Sequence, residues 1–179
     1  LLPVHLFRQL YPKPSDYLSD QALFSFSYVG VTLRDLADSP KVQIAYTTPG
    51  YMRMFQMPLL HGRSFSADED VGSQQPVAVL SEKTWREHYQ ADPATVGRTI
   101  QIGSQSFKVI GITAATFQEP ALTGPARVND IWLPWDYAPG ANANPGDVSG
   151  AHFYLAKLKD AGALQSFEQE LRPQIQQKF

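Results

Sequence analysis

The sequence contains no cysteine, which excludes disulfide bonds, thiolate zinc sites and cysteine nucleophiles. It also has no apolar run of about 18 residues or more, so no segment is suited to cross a bilayer as a helix. Charged residues make up only 18% of the chain, and the formal net charge of −2 argues against a nucleic-acid binder, which usually presents a basic face.

Motifs that support catalysis or metal binding are missing as well. None of the four histidines, His5, His61, His88 and His152, lies four residues from another, the spacing that places two imidazoles on one helix face. The acidic run 68–70 lacks the alternating oxygen ligands and turn glycine of a calcium loop. We interpret it as a solvated loop or helix start.

Nucleophile and nucleotide motifs are also not found. Ser81 follows an apolar run, but no glycine flanks it as the nucleophile elbow G-x-S-x-G requires, so we predict a helix cap. No glycine-rich loop matches a phosphate-binding pattern. The sequence therefore predicts no enzyme, no cofactor and no ATP site within the chain.

The residues present are those of a packed domain. The chain has 179 residues, of which 43% are hydrophobic, and a chain of this length buries about 70% of its unfolded surface. We expect one domain or two small subdomains. The chain begins Leu1-Leu2-Pro3, without an initiating Met or a signal peptide, so we expect it to be a piece of a longer protein.

The first quarter predicts a mixture of strands and one helix. An apolar run at Val4–Leu10 closed by prolines indicates a strand, and Ser15 with Asp16 predicts the N-cap of a helix that reaches Ala22. Alternating apolar residues predict strands over residues 24–28 and in Lys41–Thr47, paired as an antiparallel hairpin.

The middle block, residues 48–112, contains many residues that typically begin or end helices and strands. Thr48 before Pro49 predicts a short helix, followed by a loop over His61–Asp70 with a helical turn near Ala67. Pro76–Leu80 predicts a buried strand and Ser81 the cap of the next helix. Two further strands, 98–102 and 106–112, flank a predicted three-residue loop at 103–105.

The last third predicts a short strand at Ile131–Leu133, a flexible connector over Ala138–Gly150 and a strand at Phe153–Leu158. A final helix is predicted over Ala161–Phe179, and Pro173 predicts its kink or early end. Together the elements indicate a mixed α+β fold.

The order of these segments resembles the periplasmic core domain of MacB-like and FtsX-like ABC transporter permeases. Residues 14–18, P-S-D-Y-L, are similar to the Y-P-D-Y-L segment of many such permeases. The other matching pieces are Pro49-Gly50-Tyr51 with Phe55, Gly62-Arg63-Ser64-Phe65 with Asp68-Glu69-Asp70, residues 76–82, Asp92-Pro93, Val96-Gly97-Arg98, residues 107–112 and Ile131-Trp132-Leu133-Pro134. The likeness covers most of the chain and weakens across Ala138–Gly150.

This resemblance implies a porter-like βαβ subdomain, residues 1–57 and 151–179, with a small mixed α/β subdomain of residues 58–150 inserted in it. It also implies a non-catalytic, extracytoplasmic part of a permease that transmits ATP-driven conformational change during export, efflux or lipoprotein release. The implied partners are the membrane-embedded remainder of the permease, a cytoplasmic ATPase domain or subunit, a second permease copy, a periplasmic adaptor and an outer-membrane duct.

Two sets of residues are candidates for contact with a dimer mate or an adaptor: His61, Arg63 and Phe65 in the loop, and Trp132, Trp135 and Tyr137 near a strand end. The alternative function is a stand-alone periplasmic module that binds a peptide, lipid or sugar on the aromatic cluster. For aromatic residues at a strand end, packing is the more common role.

Overall fold

The computed structural model describes residues 4–122, 127–142 and 151–176. Its helices are α1 Val4–Leu10, α2 Pro49–Met54, α3 Glu82–Tyr89 and α4 Ala163–Gln176. Its strands are β1 Leu18–Phe26, β2 Val31–Thr32, β3 Lys41–Val42, β4 Ile44–Thr47, β5 Leu59–Gly62, β6 Val77–Ser81, β7 Thr99–Ile102, β8 Gln105–Thr113, β9 Ile131–Pro134 and β10 His152–Leu158. Three short 3₁₀ turns, Ala67–Glu69, Pro93–Thr95 and Trp135–Tyr137, complete the elements in these ranges.

Within the described residues, eight strands form one mixed sheet in the order β10-β1-β4-β9-β6-β8-β5, with β7 paired to β8. The β1–β10 and β1–β4 pairs are antiparallel, whereas β4–β9 and β6–β8 are parallel. The predicted mixed α+β class is confirmed. Strands from residues 1–57, 58–150 and 151–179 all join this sheet, and the division into two subdomains stays a prediction.

Both faces of the central strands are covered, which explains their continuous apolar sequences. Along β6, Ala78 and Leu80 belong to the larger core cluster, whereas Val77 and Val79 belong to a second cluster on the other face. The larger cluster also receives Phe7 from α1 and Trp85 from α3. The predicted strand at Pro76–Leu80 is therefore correct, and it is buried on both sides.

Local signals in the middle block identify its elements well. Thr48 precedes α2 with Pro49 in the first turn, and Ser81 caps α3 by accepting a hydrogen bond from Thr84 N–H. The predicted loop over His61–Asp70 is wrong at its start, since β5 extends through Gly62. The predicted helical turn near Ala67 is confirmed as a 3₁₀ turn at Ala67–Glu69. The predicted three-residue loop at 103–105 is wrong, because Gln105 already pairs with Ile102 and the β7–β8 hairpin turns over residues 103 and 104 alone.

The N-terminal predictions are wrong in two places. Val4–Leu10 is helix α1, and it buries Val4, Leu6, Phe7 and Leu10. The predicted helix from Ser15 to Ala22 is largely strand β1, because residues 18–25 pair with β10. Partners that are distant in sequence impose both conformations, which overrides the local capping signal.

The C-terminal predictions agree better with the structure. β9 and β10 lie where predicted, and α4 continues through Pro173 to Gln176. In the predicted connector, Ala138 and Ala141 pack against the larger core, so residues 138–142 belong to the folded body. Residues 143–150 lie outside the described residues.

Two backbones approach closely where β5 meets β8. Arg63 N–H donates to Ile110 C=O at 2.9 Å, and the preceding Gly62 has φ +72°. A Cβ added at Gly62 would lie 2.1 Å from the Ile110 carbonyl oxygen. A side chain there would therefore meet both an unfavourable left-handed backbone and a steric clash.

We predict that Gly62→Ala lowers the free energy of unfolding by about 2–4 kcal/mol, the sum of left-handed strain and a forced backbone shift. Gly97→Ala is the matched control, because Gly97 has φ +97° but no atom within 4 Å of an added Cβ. The control should lose only about 1–2 kcal/mol. Urea unfolding measures both values, and equal losses would contradict a role for the close approach.

Candidate functional site

The predicted contact residues separate into exposed and buried positions. His61 and Arg63 are exposed, and Tyr137 is half-buried. Phe65, Trp132 and Trp135 are only 4%, 2% and 1% exposed. The latter three side chains lie in the core, so only His61, Arg63 and Tyr137 keep accessible surface for the predicted partner contact, which stays a prediction.

An ion pair between Arg63 and Glu69 fixes the loop after β5. The guanidinium donates to both carboxylate oxygens, at 3.0 and 2.8 Å. Ser66 N–H and Ser66 Oγ also donate to Glu69, at 2.8 and 2.9 Å. Because Ser66 Oγ in turn accepts a hydrogen bond from Asp68 N–H at 3.3 Å, Ser66 and Glu69 form a capping box for the 3₁₀ turn. The motif G-R-S-F with its following acidic residues is thus a clamp that seats Phe65 in the core.

The hydrogen bonds of this clamp shift the pKa values of both charged partners. Burial acts to raise the pKa of Glu69, but the hydrogen bonds from Arg63 and Ser66 outweigh it and hold that pKa below its usual value. The hydrogen bond to Glu69 raises the pKa of Arg63. A carboxylate with a lowered folded-state pKa stabilises the fold above its unfolded-state pKa, and this contribution is lost as the pH falls through the folded-state pKa.

The second candidate segment, Trp132–Tyr137, is anchored to the loop before β6 by hydrogen bonds. Asp136, 3% exposed, accepts hydrogen bonds from Gly72 N–H and Gln74 N–H at 2.9 Å, which ties the 3₁₀ turn after β9 to the loop before β6. Tyr137 Oη donates to Gln74 C=O at 2.6 Å. Trp132 and Trp135 therefore pack in the core, whereas Tyr137 keeps part of its surface accessible.

Glu119, which the sequence did not single out, organises the loop between β8 and β9. Its carboxylate accepts hydrogen bonds from Tyr51 Oη and Trp132 Nε1, each at 3.0 Å, and a third from Asn129 Nδ2. Burial and the Glu119 charge raise the pKa of Tyr51, so its hydroxyl stays protonated and donates. A buried tryptophan N–H needs an acceptor, which was the only sequence signal for this contact.

A cavity of about 330 Å³ opens beside this carboxylate. Its wall includes Lys83 at the start of α3, Phe117 and Arg127 of the β8–β9 loop, and Trp132 of β9. Among the described residues no group of three or more histidine, aspartate or glutamate side chains is arranged to hold a metal ion. Helices in the same part of the chain are too short or too polar to span a membrane.

Comparison with a protein family and with individual proteins leads to the same family. The MacB-like periplasmic core domain family matches residues 15–174. The macrolide export ATP-binding/permease protein MacB of Burkholderia pseudomallei is 36% identical over 91 residues, which are 49% of this chain and 13% of that protein. The corresponding protein of Burkholderia thailandensis is 35% identical over the same coverage. The chain therefore spans a small part of these curated relatives.

Solved structures share the fold at low sequence identity. The periplasmic region of MacB from Actinobacillus actinomycetemcomitans superposes with a TM-score of 0.67 at 17% identity, over 97% of this chain and 74% of that one. The extracellular domain of the noncanonic ABC-type transporter YknZ from Gram-positive bacteria gives a TM-score of 0.66 at 15% identity, over 92% and 77% of the two chains.

We predict that Glu69→Gln lowers the free energy of unfolding by about 1.5–3 kcal/mol near neutral pH, because hydrogen bonds to a charged group are lost. The deficit relative to the parent should shrink as the pH falls below about 4.3, where the unfolded-state carboxylate protonates. Urea unfolding from about pH 7 to about pH 3 measures it.

Glu168→Gln is the control for that series. Glu168 is an exposed acidic residue of α4, and its replacement should change stability by less than about 0.5 kcal/mol at any pH. A Glu69→Gln deficit that stays constant across the series would contradict a charge-based clamp.

Proposed function

Because this chain belongs to the MacB-like periplasmic core domain family, we propose that it is the extracytoplasmic domain of an ABC transporter permease and has no catalytic role. It passes ATP-driven conformational change from the membrane part of the permease to its export partners. ATP hydrolysis takes place on a cytoplasmic domain or subunit.

The observation that carries this proposal is the continuity of the sheet. β4 lies within residues 1–57 and β9 within residues 58–150, and their parallel pairing joins four residues of each strand. Tyr11 Oη of the first segment donates to Asp70 of the second at 2.8 Å. A body joined by backbone and side-chain bonds moves as a unit, which supports a role in transmitting motion.

The same proposal implies which partners this domain contacts. The membrane-embedded remainder and the ATPase supply the motion, and a second permease copy, a periplasmic adaptor and an outer-membrane duct receive it. His61 and Arg63, both exposed, are the surface positions that we assign to contact with a dimer mate or adaptor. The fixed geometry of the Arg63–Glu69 pair gives this contact a defined position.

The alternative of a stand-alone aromatic binding platform loses its support in the described structure. A platform for a sugar or peptide needs exposed rings, and the indoles of Trp132 and Trp135 are 2% and 1% exposed.

We predict that deletion of this domain from the intact transporter abolishes export while ATP hydrolysis by the transporter persists. The physical reason is that the ATPase lies elsewhere and only the transmitting element is lost. Parallel measurement of ATP turnover and export in membrane vesicles separates the two effects. A matched control carries Asp160→Asn, a substitution at an exposed position of this domain, and should export normally.

Two results would contradict the proposal. Normal export by the deletion variant would show that the domain is dispensable for transport. Loss of ATP hydrolysis together with export, in a variant that still reaches the membrane, would place an ATPase function in or under control of this domain.

A further inference from the structure

Strand β10 lies at one end of the main sheet and, among the described strands, pairs with β1 alone. Proteins usually protect such an edge strand with a proline, a bulge, charged side chains or a short length, because its outer backbone groups can pair with another strand. β10 has seven residues, no proline and one lysine, Lys157, which lies opposite Asp20 of β1. The outer side of β10 therefore has little protection against pairing.

The hydrogen-bond pattern shows which residues of β10 face this outer side. In an antiparallel pair, successive residues direct their N–H and C=O alternately to one neighbouring strand and to the opposite side. Leu23 C=O accepts a hydrogen bond from Thr48 N–H, so Leu23 of β1 faces the β4 side. The preceding residue, Ala22, therefore faces β10, where it is paired with Leu155. Leu155 thus bonds to β1, and the residues on either side of it face outward.

These two outward-facing residues are Tyr154 and Ala156. In the part of the chain that the structure describes, no hydrogen bond reaches the backbone N–H or C=O of either residue from the outer side. Phe153 and Leu155, which share one face of the sheet, are only half-buried. A further strand beside β10 would satisfy the four backbone groups and cover these apolar side chains.

From this edge we propose that two copies of the domain associate through their β10 strands, which run antiparallel and join the two sheets into one. The two-fold axis passes through Leu155, so Leu155 of one copy faces Leu155 of the partner subunit. Tyr154 then pairs with Ala156 of the partner subunit, and Ala156 pairs with the partner's Tyr154. Four backbone hydrogen bonds use every outward N–H and C=O of these residues.

A second copy is the occupant because this edge is complementary to itself. On one face the large Tyr154 lies opposite the small Ala156 of the partner subunit. On the other face Lys157 lies opposite Phe153 of the partner subunit, which suits a contact between the ammonium group and the aromatic ring. A register centred on Tyr154 would oppose two tyrosines, and one centred on Lys157 would oppose two positive charges.

This interface deepens the permease role proposed above, on which its place in transport rests. It is shorter than a standard protein–protein interface, so we expect a dissociation constant of about 0.1 mM for the isolated domain. Two copies held in one transporter reach an effective concentration on the order of 1 mM, so the contact can form and break within a cycle. β5, which contains His61, lies at the other end of the sheet and stays available to an adaptor.

Cross-linking tests the register directly, because the chain has no cysteine of its own. Leu155→Cys places two thiols across the axis, where Cβ atoms about 4.5 Å apart allow a disulfide. Lys157→Cys is the matched control, since this exposed position would lie about 13 Å from its counterpart along the strands. With copper phenanthroline and oxygen as the oxidant, we expect at least about tenfold more disulfide dimer at position 155 than at position 157.

A second pair of variants tests the backbone hydrogen bonds. Ala156→Pro removes an outward N–H but no bond to β1, and Ala156→Val is the matched control that keeps the N–H. Sedimentation equilibrium up to about 1 mM should show at least about tenfold weaker association for Ala156→Pro and unchanged association for Ala156→Val. Unfolding midpoints verify that every variant is folded.

Four results would overturn the proposal. A domain that stays monomeric up to about 1 mM would exclude the pairing. Equal cross-linking at positions 155 and 157 would indicate random collision, and a folded Ala156→Pro that associates like the parent would place the interface elsewhere. No cross-link at position 155 in the intact transporter, with its other cysteines replaced, would mean that a different segment covers β10 there. None of these results changes the export assay of the deletion variant, so the transport role is tested separately.

Discussion

The parallel pairing of β4 with β9 is the constraint on which the rest of the structure depends. Next to the paired residues, two hydrogen bonds join Gln43 and Asp130. Gln43 N–H donates to the Asp130 carboxylate at 2.8 Å, and Asp130 N–H donates to Gln43 C=O at 2.9 Å. Ile44 and Ile131, both 0% exposed, then lie side by side in the core. Without this pairing the β10-β1-β4 and β9-β6-β8 halves would be separate sheets with unsatisfied inner edges.

The pairing also explains why one core serves the whole described chain. The larger hydrophobic cluster takes Phe7 from α1, Leu23 from β1, Trp85 from α3 and Phe107 from β8. Elements more than a hundred residues apart in sequence thus share one interior. A close-packed interior transmits strain rather than absorbing it, which is the property that the proposed transmitting role requires.

Sequence patterns predicted the middle block well because its signals are local. Ser81 before α3, Pro49 in the first turn of α2 and the apolar run of β6 each act within a few residues. The N-terminal region failed because α1 and β1 acquire their structure from β10, more than a hundred residues away. Seven residues form too short a helix to be recognised without the surface on which it packs.

The candidate site shows the same difference between features set by local sequence and features set by tertiary packing. His61 and Arg63 were selected from sequence and are exposed, yet Phe65, Trp132 and Trp135 proved to be core residues because their exposure depends on tertiary packing. Glu119 was missed, since its three donors come from α2, β9 and the segment before β9. Only the fold brings those donors together, whereas Arg63 and Glu69 of the clamp lie six positions apart within one recognisable motif.

In the role that we propose, this domain moves as one body during the transport cycle. Spin labels at two exposed positions, Glu87→Cys in α3 and Lys159→Cys after β10, report on the two sides of the β4–β9 joint. Pulsed electron paramagnetic resonance on the intact transporter measures the distance between them with and without ATP. The account predicts an unchanged distance within one domain, while a single label at position 159 changes its distance to the same label in a second copy. A change of the distance within the domain on ATP binding would contradict it.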